Sequence, residues 1–449
     1  MPTRPDILVM TNTSDAVLNA IRNSASVNYQ EHVPIATADA ESVKAIGAVI
    51  MDNVNLQNEF LNALINRIAR VVVTSKSYEN PWNMFKKGFI EMGETVEEIF
   101  IDLIKPFQYD PAVAENELFK REKPDVKSAF HYINYQKFYK VTIERQTLRK
   151  AFLTYDGVTD LISDITKQLY TSMNYDEFQS MKYTLAVALL NGFVKTTQVD
   201  TDTADAGAIA FKSTSDLFTF MNTDYNPVGV HTLTEKNEQY LIVNSLYNAK
   251  MDVDTLATAF NMSKAEFMGH RVVVDSFGKL DTERLAVLFA DDPNYIEIGE
   301  DELTLLDTIP AVLVDENWFQ IYDNLLQFTD VENAQGLYWN YFLHAWKTFS
   351  VSPFSQAVAF VSGAPAITSV TVTPDALTLK KGAKAQLSAE VVATNFASKA
   401  VNWTSNNPAV TVDSAGYVSV GQEASGSVTI TATSVVDSSK KDTCTLTIS

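Results

Sequence analysis

At Gly363 the chain changes character, and no single core accommodates both sides of that break. Ala364–Ser449 contains no Arg, His or Met, and its six Lys are matched by six Asp plus Glu, so the whole formal charge of −20 lies in the first 363 residues. Short runs in the tail alternate apolar and polar residues, as half-buried strands do, and predict a small β-sandwich. The acidic segment before it must then form cores of its own. A chain of 449 residues is long enough for about three domains.

Bulk properties remove several function classes. With 46% hydrophobic, 11% aromatic and 20% charged residues, the chain has the composition of a folded protein rather than a disordered one. The start, MPTRPDILVMTNTSDAV, lacks a basic region followed by a long apolar one, so no secretory signal is expected. No run approaches the roughly 18 apolar residues of a membrane span. The one cysteine, Cys444, has no intramolecular disulfide partner, as suits synthesis in a reducing cytoplasm, and reads as a packed strand residue. A pI near 4.7 argues against sequence-reading of DNA, which needs a basic footprint. An acidic wall around DNA would instead repel it.

Residues that carry chemistry do not converge. The five His, at 32, 131, 231, 270 and 344, lack metal-ligand spacing, the 16 Gly form no phosphate loop, and there is no G-x-S-x-G elbow. Glu97-Glu98 with Asp102 has the residue types of a glycosidase carboxylate pair. On an alternating strand, however, Glu98 and Asp102 share one face, which reads as a solvated or partner-facing charge set. No enzyme, cofactor or metal is expected.

Periodicity orders the body. Ser14–Asn23 and Glu59–Ile68 are helical within a first stretch of about 60 residues that reads as an arm rather than a closed domain. Val71–Thr74 reads as a strand. Residues 85–90 and 97–102 look like one side of a charged two-stranded excursion, with 137–143 as the returning strand and the turn-rich Pro106 to Pro124 between them. Such a ribbon is marginal alone, so it is expected to lie on another molecule. Leu161, Ile162, Ile165, Leu169, Met173, Phe178, Met181, Leu185 and Leu189 predict the longest helix, stopped by Asn191-Gly192, with Asn174-Tyr175-Asp176 as a candidate bend. At about 30 residues it would be about 45 Å long. The remainder reads as mixed α/β: helices at Leu241–Asn248 and Val253–Phe260, strands at 271–274, 286–289, 311–314 and 318–322. Leu337–Phe349, with six aromatics, reads as a strand covered on both sides.

Two resemblances follow from motifs. Val370-Thr371-Val372-Thr373-Pro374, Leu379-Lys380-Lys381-Gly382, Val401-Asn402-Trp403-Thr404-Ser405, Asn406-Asn407-Pro408-Ala409-Val410, Gly416-Tyr417-Val418 and Cys444–Ile448 resemble the bacterial immunoglobulin-like domain of group 2, with Trp403 expected to plug the core. The body has Ile21-Arg22-Asn23-Ser24, Lys86-Lys87-Gly88, Gly93-Glu94-Thr95-Val96-Glu97-Glu98-Ile99, Phe119-Lys120-Arg121-Glu122-Lys123-Pro124, Trp318–Leu325 and Gly336-Leu337-Tyr338-Trp339-Asn340-Tyr341. With these it resembles the major capsid protein of small short-tailed phages related to phi-29.

That resemblance implies an α+β fold of the tailed-phage Hong Kong 97 type, with a long spine helix and an extended β-loop, plus the all-β immunoglobulin-like sandwich. The implied segments are 1–75 (arm and start of a peripheral domain), 76–147 (extended loop), 148–199 (peripheral domain with the spine helix), 200–335 (axial domain), 336–363 (return to the peripheral domain) and 364–449 (immunoglobulin-like). The implied function is a major capsid protein that self-assembles around double-stranded DNA in the virion, after synthesis in the host cytoplasm. Implied partners are copies of itself in pentamers and hexamers, a separate scaffolding protein, a portal protein and packaged DNA bound without sequence specificity; no membrane is involved. Lys86, Lys87, Glu97, Glu98, Asp102, Arg121, Glu122 and Lys123 on the extended loop are the expected inter-subunit contacts. A different class, a surface adhesin or sugar-active protein using the sandwich as a spacer, is the alternative.

Overall fold

The fold is that of a computed structural model. It describes residues 14–449 except 71–77, 91–94, 105, 107–123, 154–156, 201–203, 252–269, 291, 293 and 337. Two compact units divide the chain: Met1–Glu94 with Ile133–Phe178 and Tyr322–Thr348, and Thr95–Tyr132 with Gln179–Ile321 and Phe349–Ser449. The readings of Val71–Thr74 as strand and Val253–Phe260 as helix lie outside the described residues, as do most of the turn-rich 106–124 and the site residues Arg121, Glu122 and Lys123.

In the first unit the four N-terminal helices, Ser14–Ser24, Val27–His32, Ala40–Asp52 and Val54–Arg70, are no loose arm. Val17, Leu18, Ile21, Ile46, Ile50 and Phe60 are buried in one cluster with Ile143, Leu169, Trp339, Tyr341 and Leu343. Side-chain caps at Ser26 and Asp39 start two of these helices, each accepting a backbone N–H of the first turn. The sheet they cover runs in the order Lys86–Phe89, Phe319–Asn333, Tyr338–Val351, Tyr135–Glu144. Its last pair is antiparallel, with Tyr338 opposite Glu144 and Lys347 opposite Tyr135. The expected partner of 137–143 was therefore wrong: this strand pairs with the aromatic strand, because both bury alternate residues on the same core. The aromatic strand is covered more fully on one side. Trp339, Tyr341, Leu343, Ala345 and Phe349 are buried, whereas Phe342, His344 and Trp346 are half-buried.

The long helix, Gly157–Leu190, carries on without a break through Asn174-Tyr175-Asp176. Its 34 residues correspond to about 51 Å. The polar triplet marks contacts rather than a bend: Asn174 donates to the Tyr78 carbonyl at 2.9 Å, and buried Asp176 accepts from Tyr139 at 2.7 Å. No helix among the described residues is long and apolar enough to cross a membrane.

The second unit holds a mixed five-stranded sheet in the order Lys195–Gln198, Ala357–Val361, Ala311–Asp315, Gln239–Asn244, His270–Val274. Its central strands Ala311–Asp315 and Ala357–Val361 are buried throughout, as continuous apolar runs flanked on two faces should be. Two segments depart from expectation. Leu241–Asn244 belongs to a strand, and only Ser245–Lys250 is helical, because Asn244 accepts the Leu246 N–H and starts the helix there. Residues 286–288 are helical as part of Thr282–Leu288, and Phe289 caps its end. Asp281 caps the start, and Leu285 and Leu288 sit on its buried side. The tail forms the expected sandwich, with Val370, Val372, Leu387, Val418, Val428, Ile430, Cys444 and Leu446 in its core. Trp403 is only half-buried at the edge of that core, where the glycine at 416 leaves room for its ring.

Candidate assembly loop and its anchors

By sequence, residues 85–90 and 97–102 form one charged arm, but the two units hold these parts differently. In the first unit, Lys86 begins the strand Lys86–Phe89 and is drawn inward. Its ammonium lies 2.7 Å from Asp323 and 3.1 Å from Glu177. Lys347 completes the set, 2.5 Å from Asp323 and also bonded to Glu177. Asn80 donates to the other Glu177 oxygen at 2.6 Å. Side-chain exposure is only 2% for Glu177 and 4% for Lys347, against 19% for Lys86 and 26% for Asp323, so the inner pair balances its charges where water is scarce and the outer pair closes the set nearer the surface. Burial pushes the carboxyls of Glu177 and Asp323 up, but Lys347 and then Lys86 hold both below the ordinary range. Burial likewise opposes the charge on Lys86, and Glu177 and Asp323 override it, raising its pKa. Lys86 is thus committed within its own unit rather than displayed. Lys87 is exposed.

The ribbon proper belongs to the second unit. Val96–Ile101 pairs antiparallel with Val126–His131, Glu97 opposite Phe130, Ile99 opposite Ser128 and Ile101 opposite Val126. A period of two sends adjacent residues to opposite faces. Glu98 and Asp102 do share a face, as expected, but that face is held against the same unit. Glu98 accepts from the Ser352 hydroxyl at 2.6 Å and from His131 Nε2 at 3.1 Å. A carboxylate only accepts, so His131 donates to it through Nε2, and Nδ1 faces the Ser350 hydroxyl at 2.7 Å. Phe100 stacks on buried Phe354 with centroids 5.5 Å apart. Asp102 accepts from the Leu103 N–H and lies 2.8 Å from His231 Nδ1; these two contacts, in that order, hold its carboxyl below the ordinary range.

The opposite face is the surprise. Ile99, Ile101, Val126 and Phe130 are 58%, 64%, 51% and 60% exposed, with Glu97 and Ser128 among them, and Leu103 and Ile104 continue the exposed apolar run. Of the charges singled out from sequence that are described, Lys86, Glu98 and Asp102 are thus engaged within their own unit, Lys87 and Glu97 are exposed, and most of the uncovered ribbon face is apolar. Alternation gave the signal for this: Glu97, Ile99 and Ile101 are one face of any strand through 96–101, whatever its partner. Among the described residues no group of three or more His, Cys, Asp or Glu is placed to hold a metal ion.

Comparison with known proteins brings both halves of the chain into established families. Residues 18–361 match the Phi29-like phage major capsid protein family, and 366–446 match the bacterial Ig-like domain (group 2). The major capsid protein of Bacillus phage PZA is 37% identical over 93% of this chain and 89% of its own length. That of Bacillus phage B103 is 36% identical over 93% and 89%. In solved structures, a chain of the capsid of Staphylococcus phage Andhra superimposes with a TM-score of 0.51 at 15% identity, covering 64% of this chain and 85% of the other, which speaks to fold alone.

Proposed function

The chain belongs to the Phi29-like phage major capsid protein family, and on that premise we propose how it builds a shell. It is a major capsid protein, so the adhesin alternative falls away, and copies of it form the virion capsid. The finer reading is that it adopts the Hong Kong 97-type arrangement and acts structurally rather than catalytically. Copies meet in pentamers and hexamers through heterologous contacts that close. The single observation that carries the assembly reading is the uncovered apolar face Ile99–Ile101–Val126–Phe130 on a two-stranded ribbon. An isolated ribbon gains little from such a face, whereas a neighbouring copy covering it removes apolar surface from water at about 25 cal/mol per Å². Many weak contacts of this kind add up across a shell.

In this reading the ribbon lies over the adjacent subunit, and Lys87 and Glu97 contribute at the margin of that contact. A separate scaffolding protein sets curvature, a portal protein occupies one vertex, and double-stranded DNA fills the interior without sequence-specific contacts. The net charge of −20 supports a wall that does not grip DNA; a DNA-facing surface that proves net basic would count against it. The subunit is made in the host cytoplasm, and the immunoglobulin-like module decorates the outside.

Co-expression with the scaffolding protein, followed by sedimentation and negative-stain microscopy, tests the proposal. Shells, rings or tubes are expected. A stable monomer that hydrolyses a glycan would overturn it.

A further inference from the structure

The immunoglobulin-like module is joined to the body by a short connection: one strand ends at Val361 and the module's first begins at Ala366. Such a link by itself allows the module to swing. Three features of the second unit oppose this. The long helix ends in a Schellman motif, with the Phe193 N–H on the Ala188 carbonyl at 2.8 Å and the Gly192 N–H on Leu189 at 3.0 Å. Gly192 supplies the left-handed residue, at φ +67°. Its bare α-carbon faces the module's backbone: a β-carbon there would lie 2.5 Å from the Ser398 α-carbon and 2.9 Å from the Ala397 oxygen and the Lys399 nitrogen. Backbone therefore meets backbone, and no side chain rotation can relieve an intrusion.

On the module's side, the loop that reaches the helix end is itself constrained. Asn395 and Phe396 are consecutive non-glycine residues in the left-handed region, at φ 49° and 60°. Such backbone costs of order 1 kcal/mol per residue and persists only where surroundings hold it. Phe396 and Ala397 are buried, at 5% and 1% exposure. The Asn395 amide also donates to the linker carbonyl of Ala364 at 3.0 Å and packs on Gly363, where a β-carbon would lie 2.4 Å from it.

We infer that residues 395–399 of the immunoglobulin-like module plug into a seat formed by the C-terminal end of the long helix at Gly192 and by the linker at 363–364, so that the module is a rigid extension of the subunit and not a tethered one. The partner this surface fits is the chain's own module. Gly192 has two separate duties, stopping the helix and admitting the plug, and the seat holds whichever way the module faces in a shell. In an assembly, every copy would present its module at one fixed angle.

Gly192→Asn separates the two duties. Asn tolerates left-handed backbone, so the helix stop is kept, but its β-carbon collides with Ser398. Limited proteolysis within 362–366 and hydrogen exchange at 395–400 are compared between the full-length wild type and G192N. The expected result is cleavage and exchange faster by about tenfold or more in the variant, with the module's own core amides unchanged. Equal rates in both proteins overturn the seat, as does a loss of protection spread evenly over the body. If G192N fails to fold, backbone relaxation of the wild-type chain decides. One correlation time shared by 366–449 and 179–321 is expected, and a shorter time for 366–449 overturns the inference.

Discussion

The strand Lys86–Phe89 and the ribbon strand Val96–Ile101 begin ten residues apart in sequence and read there as one charged arm, yet different physics holds each. At Lys86 the charges are interior and matched, two ammoniums against two carboxylates. On the ribbon, charged groups serve as partly exposed tethers, and the uncovered surface is apolar. A charged residue in an alternating strand therefore says little about what a partner touches. What matters is which face the fold leaves open.

The largest effect expected is at the interior cluster. Glu177→Leu leaves Lys86 and Lys347 sharing one carboxylate, and removing one member of a buried ion set costs about 3–5 kcal/mol. Denaturant unfolding of the unassembled subunit measures this, and a loss below about 1 kcal/mol would erase the contrast. The same cluster predicts the pH profile. Glu177 and Asp323 are held below their ordinary values, so their stabilisation is complete above the unfolded-chain values of about 4 and is lost as pH falls through the lower folded ones. Lys86 is raised, so its share is complete below about 10.4 and is lost as pH rises through the higher folded value. A stability plateau between those limits, its acid edge displaced in Asp323→Asn, is the outcome to look for in thermal melts across pH.

Next comes the outer ribbon face. Ile99→Asp with Phe130→Asp leaves subunit stability within about 1 kcal/mol, since both side chains are exposed, but raises the concentration needed for assembly by roughly tenfold or more. Light scattering during scaffold-driven assembly reports it; unaltered assembly would detach this face from any interface. Glu98→Ala, which removes the acceptor of the Ser352 hydroxyl and of His131 Nε2 on the inner face, is expected to cost about 1–2 kcal/mol. Glu97→Gln, across the strand, should stay within about 0.5 kcal/mol. Equal losses at 97 and 98 would mean that the two faces are not distinct.

Much of this is legible in the sequence. The break at Gly363, the long helix with its Asn191-Gly192 stop, the strands at 271–274 and 311–314 and the sandwich all follow from local periodicity and turn chemistry. Misreadings arose where a short apolar run fits two periods. Leu241–Asn244 and 286–288 exchange strand for helix because single capping side chains, Asn244 and Asp281, decide where each helix begins. The returning strand of the ribbon was misplaced because 126–131 and 137–143 alternate equally well, and only the choice of partner separates them.

Sequence alone determined the elements whose signal is contained in a few consecutive residues: helix faces, strand alternation, the glycine helix stop and the composition step between body and module. Only the tertiary structure decided which carboxylates are interior, which face of the ribbon stays uncovered, and that Gly192 meets the backbone at Ser398. Those facts depend on residues brought together across separations of 24 to 254 positions, as with Lys347 against Asp323 and Glu98 against Ser352. Local free energies of a few tenths of a kcal/mol per residue cannot encode such pairings; packing of the whole chain does.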